Sequence, residues 1–292
     1  MGRVATWLGA NRPLRIAIIA GLFPLPVLAI VSAALLATIS MLEGWRTAAR
    51  DAAIAGLLLA ATAGLAGLNW AAILVAAFLT WTLALLSAEL RVRGSLNLAV
   101  QVLVLMAVLG TAGFLLLQDD PSVYWESALA SVSEATKQSG LQALPPELMS
   151  QAAAIMAGVL AASLVTSSAA ALFLGCWLAD GVTEQQFGSE FRQLRMGLLL
   201  GWSAVAAAAL LLWGGASFAD DLLLVIGVGF VLQGLAVVHW HAGQSRWPRS
   251  WALALYLPLL VPIVGVYIVI LLGLAGAVDN GFSLRRAQAG VV

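Results

Sequence analysis

The chain has 292 residues, of which 62% are hydrophobic and 10% charged, with zero formal net charge and a mean hydropathy of +0.99. Soluble domains carry about 25% charged residues, so this composition argues against a water-soluble globular fold. No basic block exceeds a pair of arginines, which argues against a nucleic-acid partner, and the lone Cys176 leaves neither an internal disulfide nor a cysteine metal cage.

Apolar runs occupy 16–41, 52–68, 70–88, 96–117, 150–178, 196–213, 222–240 and 251–278. About 20 apolar residues cross the hydrocarbon core of a bilayer, and helices or closed barrels alone satisfy their backbone there. The runs lack period-2 alternation and are rich in Ala and Leu, which selects helices. The expected fold is all-α, a polytopic transmembrane helical bundle of eight apolar segments forming a single integral membrane domain over 1–292.

The first run follows Arg3, Arg12 and Arg15 and so resembles a signal peptide. Pro24 and Pro26 interrupt it and it continues to Met41, so it reads as a retained segment. The thirteen arginines fall in short clusters, and both terminal runs lie between two of them. A single crossing would put one cluster of each pair on the wrong side. Each terminal run also holds two prolines, Pro24 and Pro26, then Pro258 and Pro262, and such pairs break helices. Each therefore reads as a Pro-broken hairpin of two short helices. The alternative is one long kinked helix that violates the charge rule.

Next along the chain, Gly56, Ala60 and Gly64 repeat every four residues, as do Gly158, Ala162 and Thr166. Such spacing lets helix backbones approach closely and serves internal packing and a dimer face alike. Gly67-Leu68-Asn69-Trp70 reads as a tight turn with an interfacial tryptophan. The segment 118–148 holds five acids and the sole lysine, Lys137. Within it, Trp125, Leu129, Val132 and Thr136 share one face of an amphipathic helix over 123–139 on the membrane surface. Pro145-Pro146-Glu147 reads as a helix start, and Gly214-Gly215 with Asp220-Asp221 as a tight connection. Because Lys and Arg accumulate in short cytoplasmic loops, the loops 42–51, 89–95, 180–195 and 241–250 are assigned inside. The turn at Asn69, the segment 118–148 and 214–221 are assigned outside. Tryptophans near the run ends form an aromatic belt against the lipid bilayer. Trp81 and Trp202 lie within runs, as packed or lipid-facing bulk or as cavity lining.

Polar groups inside apolar runs invite a functional reading. Gln101 and Gln233 lie about 10 Å deep on the side assigned to the cytoplasm, and Asn97 and Glu89 lie shallower. Together they form a candidate polar pocket open to the cytoplasm; the alternative is inter-helix hydrogen bonding. Thr166, Ser167 and Ser168 can bond their own helix carbonyls. In the stretch Phe187–Met196, Phe187, Phe191 and Leu194 recur at helical spacing, with Arg192 and Arg195 three apart. This is a membrane-surface elbow helix, and Phe187, Phe191, Arg192 and Arg195 are candidate docking residues for a cytoplasmic protein partner. His239 and His241 are two apart and do not share a helical face, so no metal site is assigned. With no HExxH, P-loop or GxSxG motif and no intramembrane acid pair, no catalytic or cofactor-binding residue is assigned either, and the chain reads as non-enzymatic.

Three stretches carry a resemblance: Ser189-Glu190-Phe191-Arg192-Gln193-Leu194-Arg195, then Gln233-Gly234-Leu235-Ala236-Val237-Val238-His239, then Gly276-Ala277-Val278-Asp279-Asn280 followed by Arg285-Arg286. On these the second half resembles the uncharacterised YybS-like family of polytopic bacterial membrane proteins. The first half matches in layout, with a short basic N-terminus, an apolar run and Gly44 before an arginine. Met196-Gly197 stands where the family pattern has Leu-Pro, which removes the proline signal for a kink. The family is distantly similar to the substrate-binding membrane subunits of energy-coupling-factor vitamin transporters. The resemblance implies a multi-pass protein of the bacterial inner (cytoplasmic) membrane with a small-molecule cavity. Those subunits bind substrate towards the outside, whereas the polar candidates here lie towards the cytoplasm. Two functions follow: a small-molecule- or lipid-binding, transporter-like subunit, or a membrane scaffold or assembly protein without a ligand cavity.

Overall fold

The computed structural model describes residues 11–138, 140, 145–180, 186–213, 218–244, 247–248 and 250–286. Among them the secondary-structure elements are all helices: α1 (Arg12–Leu22), α2 (Pro26–Glu43), α3 (Trp45–Leu65), α4 (Trp70–Arg93), α5 (Leu96–Leu117), α6 (Pro121–Gln138), α7 (Pro146–Ala154), α8 (Met156–Ala179), α9 (Phe187–Arg192), α10 (Gly197–Leu212), α11 (Phe218–Gln244), α12 (Trp251–Leu259) and α13 (Pro262–Phe282), then a short 3₁₀ turn. Seven of them, α2, α3, α4, α5, α8, α11 and α13, are long and apolar enough to cross a membrane. The eighth apolar run, 196–213, forms α10, whose 16 residues extend about 24 Å.

The first terminal run breaks at Pro24 and Pro26 and the last breaks before Pro262, while Pro258 lies inside α12. Pro26 and Pro262 each occupy the start of a helix, where the missing N–H leaves no bond unmade. The 11-residue α1 and nine-residue α12 are too short to cross about 30 Å of hydrocarbon. The 42–51 stretch, expected as a loop, is helical apart from Gly44. That residue joins α2 directly to α3 with φ +91°, a left-handed conformation that suits glycine. The turn after α3 forms as expected: Gly67 has φ +70° and the Asn69 side chain accepts the Ala72 N–H at 3.1 Å. Pro146 and Glu147 open α7. In α6 the inward face runs through Trp125, Leu129, Ser133 and Thr136. Val132, expected on that face, is exposed, because the i, i+4, i+8 row passes through Ser133 instead.

The chain divides into two compact units. The first comprises residues up to Leu103, Thr166–Arg195 and Ala236–Arg246; the second comprises Val104–Val165, Met196–Leu235 and the residues from Trp247 on. In the first, α1 folds back along α2. The Ser32 hydroxyl donates to the Ile19 carbonyl at 2.8 Å and accepts the Trp81 indole N–H at 3.1 Å, so one side chain ties α1, α2 and α4. Phe23, in the α1–α2 turn, meets the Trp81 ring edge-on at 5.2 Å. Ile19, Leu36, Ile39 and Trp81 are buried in this core. In lipid no hydrophobic drive holds helices together, so close van der Waals contact carries the packing. Gly175 shows this: a Cβ there would lie 2.9 Å from the Ala37 Cβ.

The second unit uses glycine in the same way. A Cβ at Gly234 would overlap the Leu272 carbonyl, and one at Gly276 the Phe230 carbonyl. Helices α11 and α13 therefore cross backbone to backbone with opposite chain sense. Gly158 likewise lies under Asp221, whose carboxylate accepts the Gly158 N–H at 2.7 Å and caps the start of α8. The Gly56 stripe is looser: a Cβ on Gly56 would touch Leu74 and Trp81 at 3.8 Å, and Gly64 faces open space.

Candidate functional site

The side chains singled out as intramembrane amides bond to backbone groups, in the first unit where α9 has ended and in the second where α10 begins. Between α9 and α10 the chain is non-helical at Gln193–Met196; the Gln193 and Leu194 N–H groups still donate to the Glu190 and Phe191 carbonyls, and the backbone groups that follow are met by side chains. In the first unit, Asn97 accepts the Arg195 N–H at 3.0 Å and Gln101 donates to the Arg195 carbonyl at 2.7 Å. In the second unit, Gln233 accepts the Met196 N–H at 2.8 Å. Asn280 accepts the Gly197 N–H at 3.0 Å and donates to the Gly197 carbonyl at 2.9 Å. Irregular backbone at membrane depth survives where protein groups satisfy it, and these amides do so. Gly197 has φ +76°, so the chain turns sharply there.

Gln233 is fully buried, and its amide also donates to Asp279 at 2.7 Å. Asp279 is itself buried and receives the Arg285 guanidinium at 2.5 and 3.2 Å. Thus Gln101, Gln233 and Asn97 each hold the chain's own polar groups. Glu89 stands apart in an ion pair with Arg93 one turn along α4. Ser168, expected to bond its own helix, has a buried hydroxyl with no partner among the described residues.

The elbow forms as the short helix α9. Its N-terminus is capped by Asp180, which accepts the Phe187 N–H at 3.2 Å. Glu190 reaches the buried Arg91 at 2.9 Å, anchoring α9 to the end of α4. Phe187 and Phe191, the candidate docking aromatics, are half-buried. They stack with Phe173 at 5.6 and 5.2 Å, and Phe191 meets the His239 ring edge-on at 5.3 Å. Arg192 is exposed and Arg195 half-buried. Arg192 lines a polar groove of about 310 Å³ with Ser189, Gln193, Trp240, Gly243 and Gln244. His241 lies against Trp240 at 4.8 Å.

The first unit also holds a buried ion cluster that no sequence motif marks. Arg15, 1% exposed, bridges Glu43 and Asp51, and its contact with the fully buried Asp51 is 2.6 Å. Arg12 adds a second cation to Asp51 at 2.9 Å. The Arg15 pKa is raised above its ordinary value, first by the hydrogen bond to Glu43 and then by Asp51, against the opposing effect of burial. The available signal was Asp51's place on the Ala48, Ala55, Leu59 stripe of α3, a row buried in the structure. Trp81 is buried, whereas Trp202 is exposed on the surface of its helix. Compared with protein-family models, curated proteins and solved structures, the chain matches none of them.

Proposed function

We propose that this multi-pass membrane protein is a non-enzymatic, transporter-like subunit that binds a small molecule or lipid. It docks a cytoplasmic protein through the elbow α9. The observation that carries this reading is the combination of a rigidly anchored helix with an open polar flank. Glu190–Arg91, the Asp180 cap and the phenylalanine cluster fix α9, while Arg192, Ser189 and Gln193 line the groove beside it. A fixed, charged ledge is what a partner's acidic side chains recognise without an ordering cost. The resemblance to the YybS-like family, and through it to energy-coupling-factor substrate-binding subunits, supports the same assignment. It also supports a place in the bacterial inner membrane with α9 facing the cytoplasm. Pull-down from the native membrane with the full chain tests it. A stoichiometric protein partner is expected with the wild type and is lost with R192E. Recovery of the same partner with R192E would overturn the docking role.

One observation favours the second reading, a scaffold or assembly protein without a ligand cavity. Gln101, Asn97 and Gln233 spend their hydrogen bonds on the chain itself, as packing groups do. Native mass spectrometry separates the two, because a scaffold carries a partner and no ligand.

A further inference from the structure

The first unit carries an apolar groove of about 390 Å³ between α3 and α4. Its α3 wall is made of small residues, among them Ala49, Ala53 and Gly56, and its α4 wall is mixed, with the bulk supplied by Leu74, Phe78 and Trp81 beside Ala77 and Thr82. Small against large leaves a trough: even a Cβ on Gly56 would only touch Leu74 and Trp81 at 3.8 Å. The volume falls at the low end of small-molecule sites, about 300–1,000 Å³, and suits one lipid tail. A tail in a bilayer gains little by leaving other tails, so shape alone gives weak selection. Charge supplies the rest. Arg46 lies three residues before Ala49 and seven before Ala53, on the face that forms the groove. Arg50 follows one turn later. Both are exposed. Among the described residues neither has a carboxylate partner, Arg46 making a single ring contact with Trp45 at 5.7 Å. By contrast Arg12, Arg15, Arg91, Arg93 and Arg285 are all ion-paired. The acids on the two helices that form the groove are paired, Glu89 with Arg93 and Asp51 with Arg12 and Arg15, which weakens their repulsion of an anion. From Arg46 to Gly56 is about 15 Å along the helix, the distance from a headgroup down to mid-tail. Trp45 sits at the headgroup end, where an amphipathic ring belongs.

We infer that this groove holds one acyl chain of an anionic phospholipid whose phosphate is gripped by Arg46 and Arg50. The inference rests on the lipid-binding half of the proposed function and is independent of docking at α9. Two basic residues at a membrane surface give a preference for an anionic over a zwitterionic headgroup on the order of 30-fold.

The test uses the full-length protein, delipidated in a mild detergent. It is titrated with phosphatidylglycerol or with phosphatidylcholine bearing the same tails, and bound lipids are counted by native mass spectrometry. One tightly retained phosphatidylglycerol is expected, with the preference above. R46Q/R50Q, altered at exposed positions, should bring the two lipids to parity. A53W, which fills the trough from an exposed position, should abolish retention of both. Equal retention by the wild type, or an unchanged preference in R46Q/R50Q, would overturn the inference. So would a mass of two copies that A53W returns to one, since that would make the groove a dimer face. R192E should leave lipid retention intact, so failure of α9 docking and failure of lipid binding register separately.

Discussion

Arg15 and Asp51 form a pair whose members each have a second partner, Glu43 for the arginine and Arg12 for the aspartate. Removing Arg15 leaves a buried carboxylate with one half-exposed cation. Truncating one partner of a buried pair costs about 3–5 kcal/mol, whereas replacing both by apolar groups is often neutral. R15M should therefore lower the thermal midpoint in detergent sharply, and R15M/D51L should recover most of the loss. A double variant as unstable as the single one would show that the pair does not act as a unit. Because the Arg15 pKa is raised, the guanidinium's contribution is full below the ordinary arginine range. It fades only as pH rises through the still higher folded value. The deficit of R15M should thus not change with pH on the arginine's account. From the sequence, Asp51 was hidden by its company: it follows Arg46 and Arg50 and reads as part of a charged loop. What places it in the core is the one-residue link at Gly44, which starts α3 six residues earlier.

At the scale of elements, the amides at 97, 101 and 233 were legible as polar groups in apolar runs, but their partners were not. The partners are backbone groups of Arg195 in the first unit and Met196 in the second, and no proline or glycine cluster announces that break. It exists because side chains pay the hydrogen bonds that helix would otherwise supply, and because Gly197 accepts φ +76°. Each buried group left unpaired costs about 1–3 kcal/mol. Q233L deprives both the Met196 N–H and the Asp279 carboxylate of a partner, while Q101L deprives the Arg195 carbonyl alone. Q233L should therefore be the more destabilising of the two by roughly the value of one such group, read as the shift in thermal midpoint. Equal shifts would mean that the two amides carry the same burden. G197A should cost about 1–2 kcal/mol for a left-handed alanine, and full stability of G197A would show that the chain can turn there without it. The terminal breaks were legible because proline marks them. The ring contacts of Phe187 and Phe191 with Phe173 were not, since helical spacing alone does not say what an elbow packs on.

At the scale of the whole molecule, crossings are set by length. Helix α4 has 24 residues and α5 has 22, about 36 and 33 Å at 1.5 Å each, against about 30 Å of hydrocarbon. Leu68 and Ser95 therefore lie on opposite faces. Helix α3, with 21 residues, separates Leu68 from Gly44 in the same way. The face bearing Gly44 and Ser95 collects Arg46, Arg50, Arg91 and Arg93. Because Lys and Arg accumulate in short cytoplasmic loops, this face is predicted to lie in the cytoplasm. Cys176 is fully buried and leaves a silent background for labelling. A membrane-impermeant maleimide applied to intact cells should modify L68C and D119C, and should reach S95C only after permeabilisation. Modification of S95C alone would keep every crossing and reverse the orientation. Modification of L68C and S95C from the same side would remove α4 as a crossing. R46E/R50E sharpens the test: if those two arginines hold the face inside, that variant should make S95C partly reachable from outside.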